Sequence, residues 1–380
     1  MSLDFDQVAA QVEHMVSRIK AGEIEREHNL RYALDVLKTT DVDVLEAKVE
    51  RSISTCTWLV AGLHDALNHT YKATPCPSDY TAISTDGSHI DVDRHMPARC
   101  CLINIGTASI SYGDNPNALL SNQPEMFVNE PFLEGNLLGL KRAVDECLAL
   151  AELSQETPQS SSALGLLDGT LILWGIIGLE YIEFVQELLA DGFLKALDKM
   201  KKHRLPLASY ISYPRSTDVA NILRVAICPF ETANCDVKCS NDTKCSALDG
   251  INDRDLFTDT LVVGQRSAIF RSQSRIIKDH YREHAIYFFY LNVGDEIARV
   301  EVPAWVAENN DLMEKVHSMV LDQCRRGHGY PAVLTEAHEQ AVLSGSDREQ
   351  FWRLIEMLLE KNDLPANTSA KSRSKRTGWI

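Results

Sequence analysis

The sequence predicts an α/β protein: a mixed β-sheet flanked by helices, with a helical extension at the N-terminus. Three observations predict it. Apolar residues recur at helical spacing through residues 4–67. Two apolar strands, Ala82-Ile83-Ser84-Thr85-Asp86-Gly87-Ser88 and Ala163-Leu164-Gly165-Leu166-Leu167-Asp168-Gly169-Thr170, each run into Asp-Gly followed by a small hydroxyl residue. From the second of these, strand, helix, strand and helix succeed one another, the order that needs some parallel pairing.

In chain order, helices are expected over 4–20 (Val8, Val12, Met15, Val16, Ile19), 25–39 (Leu30, Ala33, Leu34, Val36, Leu37) and 43–67 (Val44, Leu45, Val49, Ile53, Trp58, Leu59, Leu63). This helical region, 1–70, either packs on the rest of the chain or dimerises. Pro75, Pro77 and Ser78 mark a loop. The first strand then ends at Asp86. Residues 99–112 read as a second strand, antiparallel to the first, and 115–131 as irregular. Residues 134–153 form a strong helix, 155–162 a Ser/Pro/Gln loop, and the second Asp-Gly strand comes next. A helix over 179–202 ends in Lys199, Lys201, Lys202, His203 and Arg204, cations that complement a helix C-terminus. A strand over 207–212 leads to a helix over 218–226. Residues 284–293 and 296–302, joined by Gly294-Asp295, form a hairpin. Its aromatic run suits a central strand, with base stacking as the alternative. Helices over 312–324, 333–343 and 348–361 close the fold. Residues 363–380, polar and carrying Lys371, Arg373, Lys375 and Arg376, read as a disordered basic tail.

The composition is that of a soluble globular protein, with 44% hydrophobic and 24% charged residues. The N-terminus carries acids where a signal peptide needs bases. The longest apolar run, Leu171 to Leu179, is nine residues, far short of the roughly 20 that span a bilayer. The expectation is a cytoplasmic protein with no membrane partner. A net charge of −16 argues against coating nucleic acid by bulk electrostatics, but leaves room for an enzyme that holds DNA through metal ions or a local basic patch. No GxxxxGK[ST] segment exists, which excludes a P-loop ATPase.

If the two Asp-Gly strands are neighbours, Asp86 and Asp168 meet at one sheet edge. Carboxylates that close repel unless a cation lies between them, and hard oxygen ligands suit Mg²⁺ or Mn²⁺. The plainer alternative is a common turn dipeptide used twice. Arg142 and Glu146, spaced i, i+4, are either a surface ion pair or a means of presenting Glu146 as a third carboxylate. The ten cysteines are expected to be mostly reduced, with Cys56, Cys100, Cys101 and Cys147 as buried thiols. Cys228, Cys235, Cys239 and Cys245 lie in a polar stretch, 228–250. Four thiols there suit Zn²⁺ or an iron–sulfur cluster; without CxxC pairs, a variable loop with free thiols is the alternative.

The landmarks TDGS (85–88), LLDGT (166–170), ISYPRS (211–216), ARVEVP (298–303) and GYPAVLTEAHEQAV (329–342), in this order, resemble the NurA nuclease family over about residues 80–345. The resemblance implies a ribonuclease H-like nuclease domain over 80–345, with 228–250 as a cysteine-containing insertion and 346–362 as an appended C-terminal helix. It implies a homodimeric, Mn²⁺-dependent (or Mg²⁺-dependent) nuclease using two ions. It also implies work on DNA ends, as a 5′ to 3′ exonuclease and single-strand endonuclease, in resection for repair with the HerA hexameric ATPase-translocase. Carried over by motif, Asp86 bridges the metals, Asp168 and Glu146 each hold one, with Glu152 as competitor for the helix carboxylate, and His338 completes the site. Tyr210, Tyr213 and Arg215 fall beside it, and Arg266 and Arg271 are further cations for DNA. The cysteine stretch and the tail inherit no role. Two other readings stand beside this: a non-catalytic adaptor binding DNA and the ATPase, and a regulator that senses redox state or metal through its cysteines.

Overall fold

A computed structural model describes residues 4–364, apart from 97, 134–135, 158–161 and 240–243. The basic residues expected in the tail lie outside the described residues. The chain forms two compact units, each assembled from separate segments: 1–72, 212–274 and 287–299 in one, 73–211, 275–286 and 300–380 in the other. The cysteine stretch thus packs with the N-terminal helices.

In the second unit the strands lie in the order 300–303, Leu207–Ile211, Ser162–Asp168, Tyr80–Ile90, Cys100–Tyr112, Asn117–Val128. Tyr80–Ile90 pairs antiparallel with Cys100–Tyr112 and parallel with Ser162–Asp168, which pairs parallel with Leu207–Ile211. The sheet is therefore mixed. The first strand does not end at Asp86: it runs on to Ile90, paired throughout with Cys100–Tyr112. What stops near Asp86 is the parallel partner, whose last pair is Thr85 with Leu167. Residues 115–131 are not irregular but carry the strand Asn117–Val128. Almost all of it is exposed, so no apolar alternation marks it.

The helix Leu137–Glu156 buries Leu138, Leu140, Val144, Cys147, Leu150 and Ala151 at helical spacing. All but Leu138 join Ile83, Leu167 and Phe193 in the main core, and Leu138 packs with Ile103, Ile105 and Phe132. Each fully buried aliphatic side chain contributes about 1.5–3 kcal/mol. The helix expected over 179–202 begins at Glu183 and is continuous to Lys202, but it widens into a π-helical stretch at Leu188–Phe193 between Glu183–Glu187 and Leu194–Lys202. There Gly192 lies so close to Val144 that a Cβ would stand 2.5 Å from its Cγ1. On the sheet, the helix Ala332–Ala341 packs against Tyr80–Ile90 and Cys100–Tyr112. The last helix, Gly345–Lys361, opens with a Ser344/Asp347 capping box. Its Trp352 packs with Ile90, Met96 and Cys100.

In the first unit, the two helices expected before residue 40 are one, Phe5–Thr39. No proline separates them, and Gly22 alone does not break the run. Only its last part is buried, at Ala33, Val36 and Leu37; Val12, Met15, Val16 and Ile19 are exposed. The helix expected over 43–67 ends at Ser52. A Ser/Thr-rich, β-branched run comes after it, whose hydroxyls bond the backbone instead. Short strands Gly62–Leu63 and Phe270–Arg271 pair with each other, and the latter with residues 287–288. Thr70–Lys72 pairs with Gln265–Ser267. Phe288, Phe289 and Tyr290 are fully buried, so this run is a central strand and not a base-stacking platform. Asp253, buried, accepts bonds from Val219 N, Ala220 N and the Tyr290 hydroxyl. Among the described residues, no helix is long and apolar enough to cross a membrane.

Candidate active site

Along a strand, side chains alternate between the two faces. Asp86 and Ser88 therefore share one face, and the Ser88 hydroxyl donates to Ala341 O of the helix Ala332–Ala341. That helix brings His338 to Asp86, with Nδ1 2.7 Å from Oδ2. It comes this close because Gly106, directly opposite Asp86 on the next strand, has no side chain. A Cβ there would stand 2.4 Å from Ala337 O and from Ala341 N. Asn104 fastens the same helix by donating to Ala341 O at 2.9 Å.

On the other face, the Thr85 hydroxyl donates to Glu146 O at 2.8 Å and ties the strand to the helix Leu137–Glu156. Gly87 is the opening through which Glu146 reaches the edge: a Cβ would stand 2.5 Å from Glu146 Oε1. Asp168 terminates Ser162–Asp168 one residue beyond the last parallel pair with the first strand. Gly169 then turns at φ +84°, a left-handed conformation that glycine tolerates, and donates its N–H to Tyr210 O. The structure thus brings Asp86, Glu146, Asp168 and His338 to one place from four separated segments.

The electrostatics are those of crowded acids. Burial pushes the Glu146 carboxyl up to about 8; Arg142 opposes this, and Asp86 and Asp168 add to it. Asp168 is raised by burial and by Asp86, against a hydrogen bond from Tyr330. The Glu146 side chain is 16% exposed, and Arg142 Nε stands 3.3 Å from its Oε1. The alignment is poor, and both atoms are buried without a hydrogen-bond partner among the described residues. Three carboxylates with a buried, unsatisfied oxygen are a hard-oxygen donor set that fits a divalent cation. Among the described residues, ligand atoms of three such side chains all lie within 4.8 Å of one another at Asp198, Glu283 and His284, and not among Asp86, Glu146, Asp168 and His338. Lys201 Nζ already lies 2.6 Å from Glu283 Oε2 and supplies the cation there.

Other expected residues fall elsewhere. Glu152 is exposed, six residues beyond Glu146 and about 9 Å along the helix. Tyr210 is fully buried, with its ring edge-on to Tyr330 at 5.4 Å, so it supports the site rather than contacting DNA. Arg266 is also withdrawn from DNA: it is buried, its guanidinium 3.9 Å from the centre of the Tyr71 ring. Tyr213 and Arg215 belong to the first unit and are exposed, with Arg254 stacked on the Tyr213 ring. Sequence reasoning missed Tyr330, although it lies within the GYPAVL run. It also missed Glu301, which is 1% exposed and accepts from the Thr170 hydroxyl and Leu171 N just after Asp168. A lone acid inside the apolar strand ARVEV was the available signal.

Among curated proteins, none matches the chain. Among solved structures, the NurA nuclease from Sulfolobus solfataricus is similar at 13% identity and a TM-score of 0.53, covering 95% of this chain and 98% of that one. A NurA structure with manganese is similar at 11% identity and a TM-score of 0.45, over 92% and 98% of the two chains. Another NurA structure, also at 11% identity, has a TM-score of 0.44 over 91% and 97%. The NurA domain profile matches residues 80–343, a span that holds all four residues gathered at the sheet edge and more than half of the sequence, and the chain belongs to the NurA domain family.

Proposed function

We propose that this chain is a cytoplasmic, metal-dependent deoxyribonuclease that hydrolyses phosphodiester bonds at Asp86, Glu146, Asp168 and His338. The observation that carries the reading is Glu146 itself. A carboxylate threaded through the gap at Gly87, its Oε1 buried and unsatisfied beside Asp86 and Asp168, is costly in a merely structural protein. The ribonuclease H-like reading is supported by the sheet, in which three antiparallel strands continue into parallel ones and acids stand on the central strand, its parallel neighbour and the connecting helix.

Divalent cations, Mn²⁺ or Mg²⁺ and two of them on the family pattern, would be held by Asp86, Glu146 and Asp168 and would supply a polarised water and charge neutralisation at the phosphate. Asp86 accepts from Nδ1–H of His338, which leaves Nε2 with its lone pair. In that tautomer the imidazole is a base, able to take a proton from the attacking water and return it to the leaving oxygen. Tyr330 orients Asp168 through its hydrogen bond. Family membership further suggests 5′ to 3′ exonuclease and single-strand endonuclease activity in DNA end resection, homodimerisation, and a HerA-like hexameric ATPase that delivers DNA to an acidic chain. An adaptor that only binds DNA and the ATPase would have no use for three converging carboxylates.

The test is cleavage of end-labelled single- and double-stranded DNA with Mn²⁺, Mg²⁺ or EDTA, wild type beside Asp86→Ala. Metal-dependent cutting lost in the variant supports the reading. Equal cutting by both overturns the site. If neither cuts even with the ATPase present, the adaptor is correct.

A further inference from the structure

Among the described residues, no group accepts a hydrogen bond from the Arg142 side chain. On the helix Leu137–Glu156, Arg142 stands four residues before Glu146, and both side chains run across the bare Cα of Gly87, the residue after Asp86. A Cβ at Gly87 would stand 2.5 Å from Glu146 Oε1 and 2.8 Å from Arg142 Cγ, so the glycine admits the arginine stem as well as the carboxylate. The Arg142 side chain is 35% exposed although its Nε is buried. Its nearest carboxylate is Glu146, with Nε 3.3 Å from Oε1 and out of line with it. An arginine kept to neutralise a carboxylate for the sake of the fold is ordinarily aligned with it, often through two parallel bonds. Here a guanidinium with five donors lies beside the carboxylate cluster with all of them unused by the protein.

We propose that Arg142 is a further catalytic residue: its guanidinium donates to the non-bridging oxygens of the phosphate being cut and offsets the negative charge that grows on them during attack. The inference rests on the nuclease reading of the same carboxylates. A phosphate sharing cations with Glu146 lies within reach of Arg142, because Nε is already 3.3 Å from that carboxylate. When Glu146 holds a cation, Arg142 loses the one carboxylate it approaches among the described residues and turns its donors to the substrate. The planar fork of a guanidinium matches two phosphate oxygens at once, which an ammonium does not. His338 reaches Asp86 from one face of the strand, and Arg142 crosses Gly87 on the other. Proton transfer and charge compensation thus come to the phosphate from opposite sides.

The experiment compares Arg142→Gln and Arg142→Lys with wild type and Asp86→Asn in the full chain, with the ATPase present where cutting needs it. Three quantities are read: Mn²⁺ affinity by calorimetry without DNA, affinity for a single-stranded oligonucleotide in Ca²⁺ at several salt concentrations, and single-turnover cleavage in Mn²⁺. Arg142→Gln should bind Mn²⁺ as well as wild type or better, because a like charge beside the cation is gone. It should cut roughly 10²–10³-fold more slowly. Its DNA affinity should fall less steeply with salt, the logarithmic slope shrinking by about 0.7 for one lost phosphate contact. Arg142→Lys keeps the charge without the fork and should cut roughly tenfold more slowly than wild type. Should Arg142→Gln fail to fold, the lysine variant decides alone, and an unchanged rate overturns the proposal. It is also overturned if Arg142→Gln cuts like wild type, or if it loses Mn²⁺ binding together with cleavage, which would make Arg142 a support for Glu146. If Asp86→Asn is inactive while both Arg142 variants cut like wild type, this inference alone fails. If wild type does not cut, or cuts no better than Asp86→Asn, the nuclease reading fails and takes the inference with it.

Discussion

Nδ1 of His338 stands 2.7 Å from Oδ2 of Asp86, although 252 residues separate the two in the chain. Gly106 makes that contact possible, because the helix carrying His338 lies against the bare Cα opposite Asp86. Gly106→Ala must push backbone atoms of that helix away, since the Cβ would meet them at 2.4 Å and no flexible side chain can yield. Overpacking of this kind costs about 1–3 kcal/mol. The expected outcome is a lowered melting temperature together with weakened cleavage. Unchanged cleavage would mean that the helix position does not matter to the chemistry.

His338→Ala keeps the helix and removes the imidazole. If the ring transfers protons, cleavage should fall by roughly 10²–10⁴-fold, with DNA affinity unchanged because the ring is one exposed group among many. Single-turnover cleavage alongside a binding titration separates the two. A matching loss of binding would make His338 a DNA contact instead.

Asp86→Asn and Asp168→Asn should each abolish cutting, by more than the roughly 10–100-fold loss typical of a metal site's outer partners. Each removes one like charge from a cluster in which Asp86 and Asp168 raise Glu146. Metal-free stability should therefore hold steady or rise slightly, as read by thermal denaturation in EDTA. A large fall in melting temperature would make these aspartates structural.

Glu146 predicts a pH dependence. Its ordinary value is 4.5, and burial first, with Asp86 and Asp168 adding, lifts it to about 8 in the folded chain. Between those values the unfolded chain has given up a proton that the folded chain retains. Stability without metal is thus intact below about pH 4.5 and falls as pH rises toward 8, by on the order of several kcal/mol. Asp168 contributes with the same sign. Melting temperatures of wild type minus Glu146→Gln, in EDTA, should decline from pH 5 to pH 8. Mn²⁺ should stabilise wild type more at pH 8 than at pH 6, because its binding displaces that proton. A flat difference would mean that Glu146 stays ionised in the folded protein.

Legibility in the sequence depended on how local the cause was. Asp86 and Asp168 stood out because an apolar strand running into Asp-Gly is a short-range pattern. Arg142 and Glu146 stood out as an i, i+4 pair, but nothing local said that Gly87 opens the sheet to Glu146 from another segment. Gly106 was illegible for the same reason: the helix backbone it meets, at Ala337, Gln340 and Ala341, lies far along the chain. Asn117–Val128 escaped notice because an exposed edge strand buries too little to carry a period. The run 179–202 kept a helical period through a wide turn whose cause, the packing of Gly192 on Val144, is tertiary.

Glu301 illustrates the same limit and carries the last prediction. It is buried, and its Oε2 accepts from the Thr170 hydroxyl at 2.7 Å and from Leu171 N at 2.9 Å. These bonds fix the turn that begins at Asp168 and Gly169. Tyr281 secures the same turn, donating to Leu171 O and accepting from Leu173 N. Glu301→Ala leaves a buried N–H and a hydroxyl without their acceptor, each costing about 1–3 kcal/mol. It also frees Asp168 to move. Glu301→Gln keeps one acceptor oxygen in place. Glu301→Ala should therefore melt well below wild type and bind Mn²⁺ more weakly, as measured by calorimetric titration, while Glu301→Gln recovers most of both. If the alanine variant lost stability but bound Mn²⁺ as wild type does, the turn would be a brace for the fold with no hold on the position of Asp168.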